Sequence, residues 1–417
     1  MNDSGISKLD MKRRNRMQIL RVLQQNGPVS RVDISEMLQL TRAAVTIITA
    51  EMIAQRILVE VGEFSVEPEG ETRKGRRKIL LDINPNFRFA FGAYIDRSSV
   101  SVGITTLTMQ IMEKRSYPIE PDASAEQILN IIREAICVLL KNSCLKRERV
   151  IGIGIAVTPR MQECMGLHGC RQEGEGLFPE AEWERELGLP VYAGNAVALL
   201  AEASNHRRER SSVPLNEVVL YAENDSYHMA VMHWNDLLEE YHKETQIADS
   251  ICVNPGGRSR EGYCKGSVKA ELTASAIGAK VAEIYSKTKT PALYRLTKGD
   301  GSRITLMQLL TAFDEGDTVL QPLMESLLHQ FCMLLYNLEQ VFFAHKICLY
   351  QFGFTQRNLE QIRSFMETFF GAAAAGKIKW NDMDVQQYFA CGSAYAIQRG
   401  FLSSGGLALE SDEEELE

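Results

Sequence analysis

One side of a predicted helix carries an arginine and several small side chains. Arg42, Ala43, Thr46 and Thr49 are spaced so that they fall opposite an apolar stripe. Arginine hydrogen-bonds guanine edges in a major groove, and threonine methyls contact thymine methyls there. These residue types at this spacing predict a helix that reads base pairs, and Thr41 begins it.

The pattern before that helix predicts a second, shorter helix that would hold it in place. Ser30 with Asp33 three residues later resembles a capping box, so this helix would run from about Arg31 to Leu38. Thr41 then acts as the N-cap of the second helix, and Arg31 lies close enough in sequence to join the same surface. The pair predicts a helix-turn-helix, although any helical hairpin shares the pattern.

The flanking segments favour the helix-turn-helix. A helix that opens with several cations precedes it, and residues 57–61 and 78–83 read as two strands with a polar loop between them. Three helices and a two-stranded ribbon form a winged helix-turn-helix. The loop carries a cluster of cations, namely Arg73, Lys74, Arg76, Arg77 and Lys78. A charge run usually marks only a solvated face, but at the position of a wing it suits phosphate or minor-groove contacts.

The charge of the chain is unevenly distributed. The 417 residues have a net charge of −8, yet residues 1–90 carry 15 Lys and Arg against 11 Asp and Glu. With 45% hydrophobic residues, the chain is long enough for two or three domains with real cores. The asymmetry predicts one DNA-contacting domain attached to an acidic body that does not touch DNA.

The nine cysteines are scattered without a repeating spacing, so we expect no disulfide framework. His168 lies between two of them in a glycine-containing loop, which could suggest a metal site. The loop has no second pair of ligands, so we expect no metal and no cofactor. No window approaches 18 uninterrupted apolar residues and no export signal is evident. We therefore expect a cytoplasmic protein that does not contact a membrane.

The remainder of the chain alternates between strand and helix patterns, which predicts an α/β body. We expect a winged helix-turn-helix over residues 1–84 and a first lobe over 85–205. A second lobe, with C-terminal helices that return to the first, would cover 206–403. Residues 404–417 end in an acidic run and are expected to form a disordered tail.

Several segments of the body resemble, in order, the landmarks of one family. They are GAYIDRSSVSVGITTL (92–107), GIGIAVTPR (152–160), LPVYAGNAVALLAEA (189–203), VVLYAENDSYHMAV (218–231) and QIADSICVNPGGRSREGYCKGS (246–267). With the winged domain in front, nearly the whole chain resembles the ROK family, which groups sugar-responsive bacterial repressors with sugar kinases. The resemblance implies a two-lobed, actin-like body of the ribonuclease H-like class.

At these landmarks the family's chemical residues are missing. In the first lobe Tyr94 stands where the family has Asp, and Asp96 stands where it has Gly. No Asp lies between residues 189 and 205 to act as the general base. In the sugar and zinc stretch, the positions of the sugar-binding Glu, the His ligand and the three Cys ligands are occupied by Ile247, Ser250, Ser259, Glu261 and Ser267. The resemblance thus implies a body without kinase activity and without structural zinc.

These observations predict a DNA-binding transcriptional regulator that acts as a repressor. A short recognition helix contacts few base pairs, so we expect a homodimer or a dimer of dimers on a palindromic operator in double-stranded DNA. An active sugar kinase with an appended DNA-binding domain is the enzyme alternative. A sugar or another small molecule could act as effector, contacting Asn195 and Glu202. Alternatively, the body is an effector-independent scaffold.

Overall fold

The computed structural model describes residues 8–64, 78–120, 123–167, 178–205, 216–223, 225–233, 236–237, 247–380 and 387–407. The chain divides into two compact units. One comprises Met1–Ser211 together with Asp384–Glu417, and the other is Ser212–Met383. Within the described ranges, no helix has the length and apolar character needed to cross a membrane.

The N-terminal part of the first unit contains three helices and a small sheet. Its elements are α1 (Lys8–Asn26), β1 (Val29–Ser30), α2 (Arg31–Leu38), α3 (Arg42–Ala54), β2 (Leu58–Phe64) and β3 (Lys78–Ile83). The sheet is antiparallel with the order β1-β3-β2. The predicted helices and ribbon are confirmed, because Ser30 and Thr41 each accept a hydrogen bond from the third residue after them and so begin α2 and α3. The short strand β1 was not predicted.

A five-stranded sheet with flanking helices follows in the same unit. Its elements are β4 (Phe89–Ile95), β5 (Ser99–Thr106), β6 (Ile111–Pro118), α4 (Ala125–Ser143), β7 (Val150–Val157), α5 (Pro159–Cys164), α6 (Glu180–Leu187), β8 (Val191–Asn195) and α7 (Ala196–Asn205). The strand order is β6-β5-β4-β7-β8, with β4, β7 and β8 parallel. Helix α4 covers one face, and its buried residues repeat every three or four positions, as the sequence predicts.

The second unit repeats the plan with a second five-stranded sheet. Its strands are β9 (Glu217–Glu223), β10 (Ser226–His233), β11 (Asp236–Leu237), β12 (Lys346–Tyr350) and β13 (Ile378–Trp380), in the order β11-β10-β9-β12-β13. Its helices are α8 (Ile247–Ser250), α9 (Val268–Glu271), α10 (Ala274–Val281), α11 (Pro291–Leu296), α12 (Leu306–Asp314), α13 (Gln321–Phe342), α14 (Gln356–Phe370) and α15 (Ala372–Gly376). The longest, α13, supplies ten buried residues to the core.

The chain then returns to the first unit. Helix α16 (Phe389–Ile397) packs on β4 and β7, where a Cβ added at Gly154 would lie 1.8 Å from the carbonyl oxygen of Gly392. Glycine is therefore required at that crossing. A π-helical turn, Gln398–Leu402, follows α16 and contacts α1. The first residues of the expected tail, 404–406, are buried in this unit, because Gly406 packs beside Ile57 and Leu20. Residues 408–417 lie outside the described residues.

Candidate functional site

Helix α3 is fixed by its buried side. Val45, Ile48 and Met52 pack into the core formed with α1 and the small sheet, and each is at most 6% exposed. The Thr41 hydroxyl accepts a hydrogen bond from the Ala44 backbone N–H at 3.2 Å. This arrangement leaves the predicted base-reading residues Arg42, Ala43 and Thr46 exposed, with Thr41 at the start of the same surface.

Thr49 lies elsewhere than the sequence-based assignment put it. The residue is fully buried, and its hydroxyl donates to the Val45 carbonyl oxygen at 2.8 Å. It follows Val45 by four residues and precedes Met52 by three, so it shares their buried side. Arg31 Nε donates to the Thr49 hydroxyl at 3.1 Å, and an ion pair of 3.1 Å joins Arg31 to Glu60. Arg31 and Thr49 therefore hold α3 against α2 and β2.

The exposed surface of α3 has one residue that the sequence analysis passed over. Ile47 is 61% exposed and lies four residues after Ala43 and three before Ala50, which are exposed as well. The signal was present in the sequence, because Ile47 does not fit the buried spacing of Val45, Ile48 and Met52. Within the described residues, Arg42 forms a single 4.0 Å ion pair with Glu36 between two well-exposed side chains, so it can reorient toward a ligand.

The wing is described only at its strands. Lys78 Nζ lies 2.7 Å from Asp33 Oδ1, which ties the start of β3 to α2. Burial raises the pKa of Asp33, but hydrogen bonds from Lys78 and Ser30 outweigh it and hold that pKa below its usual value. The predicted phosphate contacts Arg73, Lys74, Arg76 and Arg77 lie outside the described residues and stay predictions.

A buried arginine links the winged region to the end of the chain. Arg16 is fully buried in α1, its Nε donates to the carbonyl oxygen of Gly405 at 2.8 Å, and a terminal guanidinium nitrogen donates to Gln55 Oε1 at 2.9 Å. Gln55 is the C-cap residue that follows α3. The C-terminal segment therefore takes part in positioning the candidate recognition helix.

In the turn between β4 and β5, which resembles the phosphate-binding turn of the ROK family, the chain's own carboxylate occupies the backbone donors. Asp96 Oδ1 accepts hydrogen bonds from the backbone N–H groups of Ser98 and Ser99 at 2.7 and 2.9 Å, and also from the Ser98 hydroxyl. These donors are the kind of group that would cradle an anion. Tyr94, where the family has Asp, is buried and packs edge-on against Tyr388.

The corresponding turn of the second unit shows the same substitution. Asp225 Oδ1 accepts from the Ser275 backbone N–H at 2.8 Å, at the start of α10, while Oδ2 accepts from the Ser275 hydroxyl and from Arg260. Burial raises the pKa of Asp225, but these hydrogen bonds outweigh it and hold the pKa below its usual value. The Asp225 carboxylate therefore occupies the N-terminus of α10, where it would repel a phosphate.

The segment that resembles the family's zinc knuckle is held without zinc ligands. The Cys264 thiol donates to the carbonyl oxygen of Ser250, and the Arg258 backbone N–H donates to Glu271, which also pairs with Lys280 at 2.6 Å. Nowhere in the described parts of the chain do three or more His, Cys, Asp or Glu side chains form a group able to hold a metal ion. The residues of this segment do not fit a structural zinc.

The two candidate effector residues have different surroundings. Asn195 ends β8, its Oδ1 accepts from the Val197 backbone N–H, and its amide donates to Gln162 at 3.4 Å. Glu202 lies in α7, where burial raises its pKa to about 7 although the charge of Arg399 opposes the rise. No hydrogen bond described in the structure joins Asn195 to Glu202, and their role toward an effector stays a prediction.

Comparison with known sequences gives distant relatives. No family model matches the chain. It is 25% identical over 200 residues to the DNA-binding transcriptional dual regulator NagC of Escherichia coli K12. The matched residues make up 47% of each protein. It is 22% identical over 197 residues to the xylose repressor of Caldicellulosiruptor bescii, covering 44% of this chain and 45% of that protein. The chain thus spans about half the length of the curated relatives that it matches.

Among solved structures, one matches nearly the whole length of this chain. A ROK family transcriptional regulator, a homologue of the E. coli MLC protein, superposes with a TM-score of 0.66 at 17% identity over 95% of this chain and 97% of that one. A ROK hexokinase from Thermus thermophilus gives a TM-score of 0.55 at 14% identity, over 74% of this chain and 98% of the kinase. This chain therefore has the fold of a ROK family transcriptional regulator, an actin-like body preceded by a winged helix-turn-helix.

Proposed function

We propose that this chain is a DNA-binding transcriptional regulator of the ROK type, acting as a repressor in the cytoplasm. The observation that carries the proposal is the surface of α3. The helix is capped by Thr41 and anchored through Arg31, and it leaves Arg42, Ala43 and Thr46 exposed. An arginine beside small side chains suits close approach to base edges in a major groove.

We propose that the body does not phosphorylate sugars. Asp96 and Asp225 use the backbone donors that a nucleotide phosphate would need, and both carry negative charge toward that position. General-base catalysis contributes a factor of roughly 100 to 10,000, and no described residue of 189–203 other than Glu202 offers a carboxylate. The body instead serves for dimerisation and for sensing a small molecule, with Asn195 and Glu202 as the candidate contacts.

The regulator proposal is tested by selecting bound duplexes from a random pool of double-stranded DNA at physiological salt. The wild-type chain should recover an inverted repeat, as a homodimer on a palindromic site would. A variant with Arg42→Ala and Thr46→Ala should lose that sequence, whereas Arg133→Ala, on the exposed side of α4, should keep it. Failure of the wild type to enrich any sequence would contradict the proposal.

The absence of kinase activity is tested separately. Sugar-dependent release of ADP should stay at the background level across a hexose and pentose panel. The variant Asp225→Gly, which removes the internal anion, should remain inactive because the general base is still missing. Turnover clearly above background in the wild type would overturn this part of the proposal and leave the DNA-binding part intact.

A further inference from the structure

The exposed surface of α3 carries apolar side chains beside Arg42 and Thr46, and Glu51, which pairs with Lys12 at 2.9 Å, lies at its C-terminal end. Ala43, Ile47 and Ala50 lie along it, and Ile47 is 61% exposed. The Thr46 hydroxyl donates to the Arg42 carbonyl oxygen at 2.7 Å, so its donor is already used within the helix. The residues near the centre of this surface therefore offer methyl and methylene groups more than hydrogen-bond donors.

Only one group on the base-pair edges of a major groove is apolar, namely the C5-methyl of thymine. Guanine, adenine and cytosine present acceptors and donors there, and a branched aliphatic side chain would leave them unsatisfied. Ile47 has no competing role in the fold, because the core beneath α3 is closed by Val45, Ile48 and Met52. Of the large apolar side chains of α3, Ile47 alone is exposed.

We propose that Ile47 is a specificity-determining residue that selects thymine in each half-site by contact with the thymine methyl. This inference rests on the proposed DNA-binding function and names the base that the site takes. Arg42 reads a guanine of the same half-site. The two residues are five positions apart, about 7.5 Å along the helix axis, so they contact different base pairs of that half-site.

The test removes the methyl from the DNA and the side chain from the protein. Starting from the selected duplex, each thymine is replaced in turn by deoxyuridine, which differs only in lacking the methyl. Affinity is measured at one fixed salt concentration for wild type, Ile47→Ala and Met112→Ala. Met112 is an exposed apolar residue of β6, so its variant controls for loss of an exposed aliphatic side chain.

For the wild type, deoxyuridine at one position of a half-site should weaken binding about fourfold, and at both symmetric positions about sixteenfold, as expected for one buried methyl each. Ile47→Ala should bind the thymine duplex more weakly and show no further loss at that position, while Met112→Ala should behave as wild type. Equal deoxyuridine losses in wild type and Ile47→Ala, or none in either, would overturn this inference alone. Failure to recover any duplex would instead overturn the DNA-binding function.

Discussion

We expect the largely buried carboxyl of Glu202 to make the stability of the first unit depend on pH. Its Oε2 is inaccessible and has no hydrogen-bond partner in the described part of the chain, and burial raises the pKa from its ordinary value of 4.5 to about 7. Below pH 4.5 the carboxyl is protonated in both the folded and the unfolded chain. As the pH rises, the unfolded carboxyl ionises first, so the free energy of unfolding falls until about pH 7.

Glutamine has nearly the same shape as the protonated side chain and does not ionise, so Glu202→Gln removes this dependence. The pKa difference corresponds to about 3 kcal/mol when complete. Between pH 5 and pH 8 the wild type should therefore lose about 2.5 kcal/mol more than the variant. For a unit of this size, that difference amounts to about 5 to 10 °C in Tm.

The assay follows urea unfolding by fluorescence of Trp183, which is buried in the first unit, in a background where Trp234 and Trp380 are replaced by Phe. Restricting the signal to one tryptophan separates the first unit from the second, since two units need not unfold together. Glu182→Gln, at an exposed position of α6, is the matched control and should leave the pH dependence unchanged. A Glu202→Gln effect of the same size at pH 5 and pH 8 would refute the reasoning.

Three further outcomes are expected. A chain that ends at Ser403 should be about 2 kcal/mol less stable than one that ends at Leu407, because it lacks the Gly405 carbonyl that accepts from buried Arg16; equal urea midpoints would contradict this. Asp225→Ala should lower the free energy of unfolding of the second unit by about 1 to 3 kcal/mol, because it removes the ion pair with Arg260; an unchanged midpoint would count against that pairing. A zinc chelator should leave the thermal midpoint of the folded chain unchanged, and a drop would show that a metal holds part of it.

Local patterns were enough to predict the winged region and most strands of the two five-stranded sheets, but not β8, β11 or β13. Caps such as Ser30 and Thr41 act over three residues, and apolar periodicity acts over one or two turns. The contact between Arg16 and Gly405 joins residues 389 positions apart, and that between Asp225 and Ser275 spans 50. No local pattern predicts such pairs. Thr49 was misplaced for a different reason, because its polar hydroxyl was given more weight than its spacing from Val45 and Met52, which puts it on the buried side of α3.

The core beneath the candidate recognition helix joins segments far apart in the sequence. Ile19, Leu20 and Ile48 share one cluster with Phe401 and Leu402. During synthesis the first hundred residues emerge long before these partners exist, so the winged region must wait with part of its apolar surface uncovered. A nascent chain, or one that ends before residue 401, therefore lacks part of the core of the winged region. The turn at Gln398–Leu402 must therefore be synthesised before the winged region can complete its core.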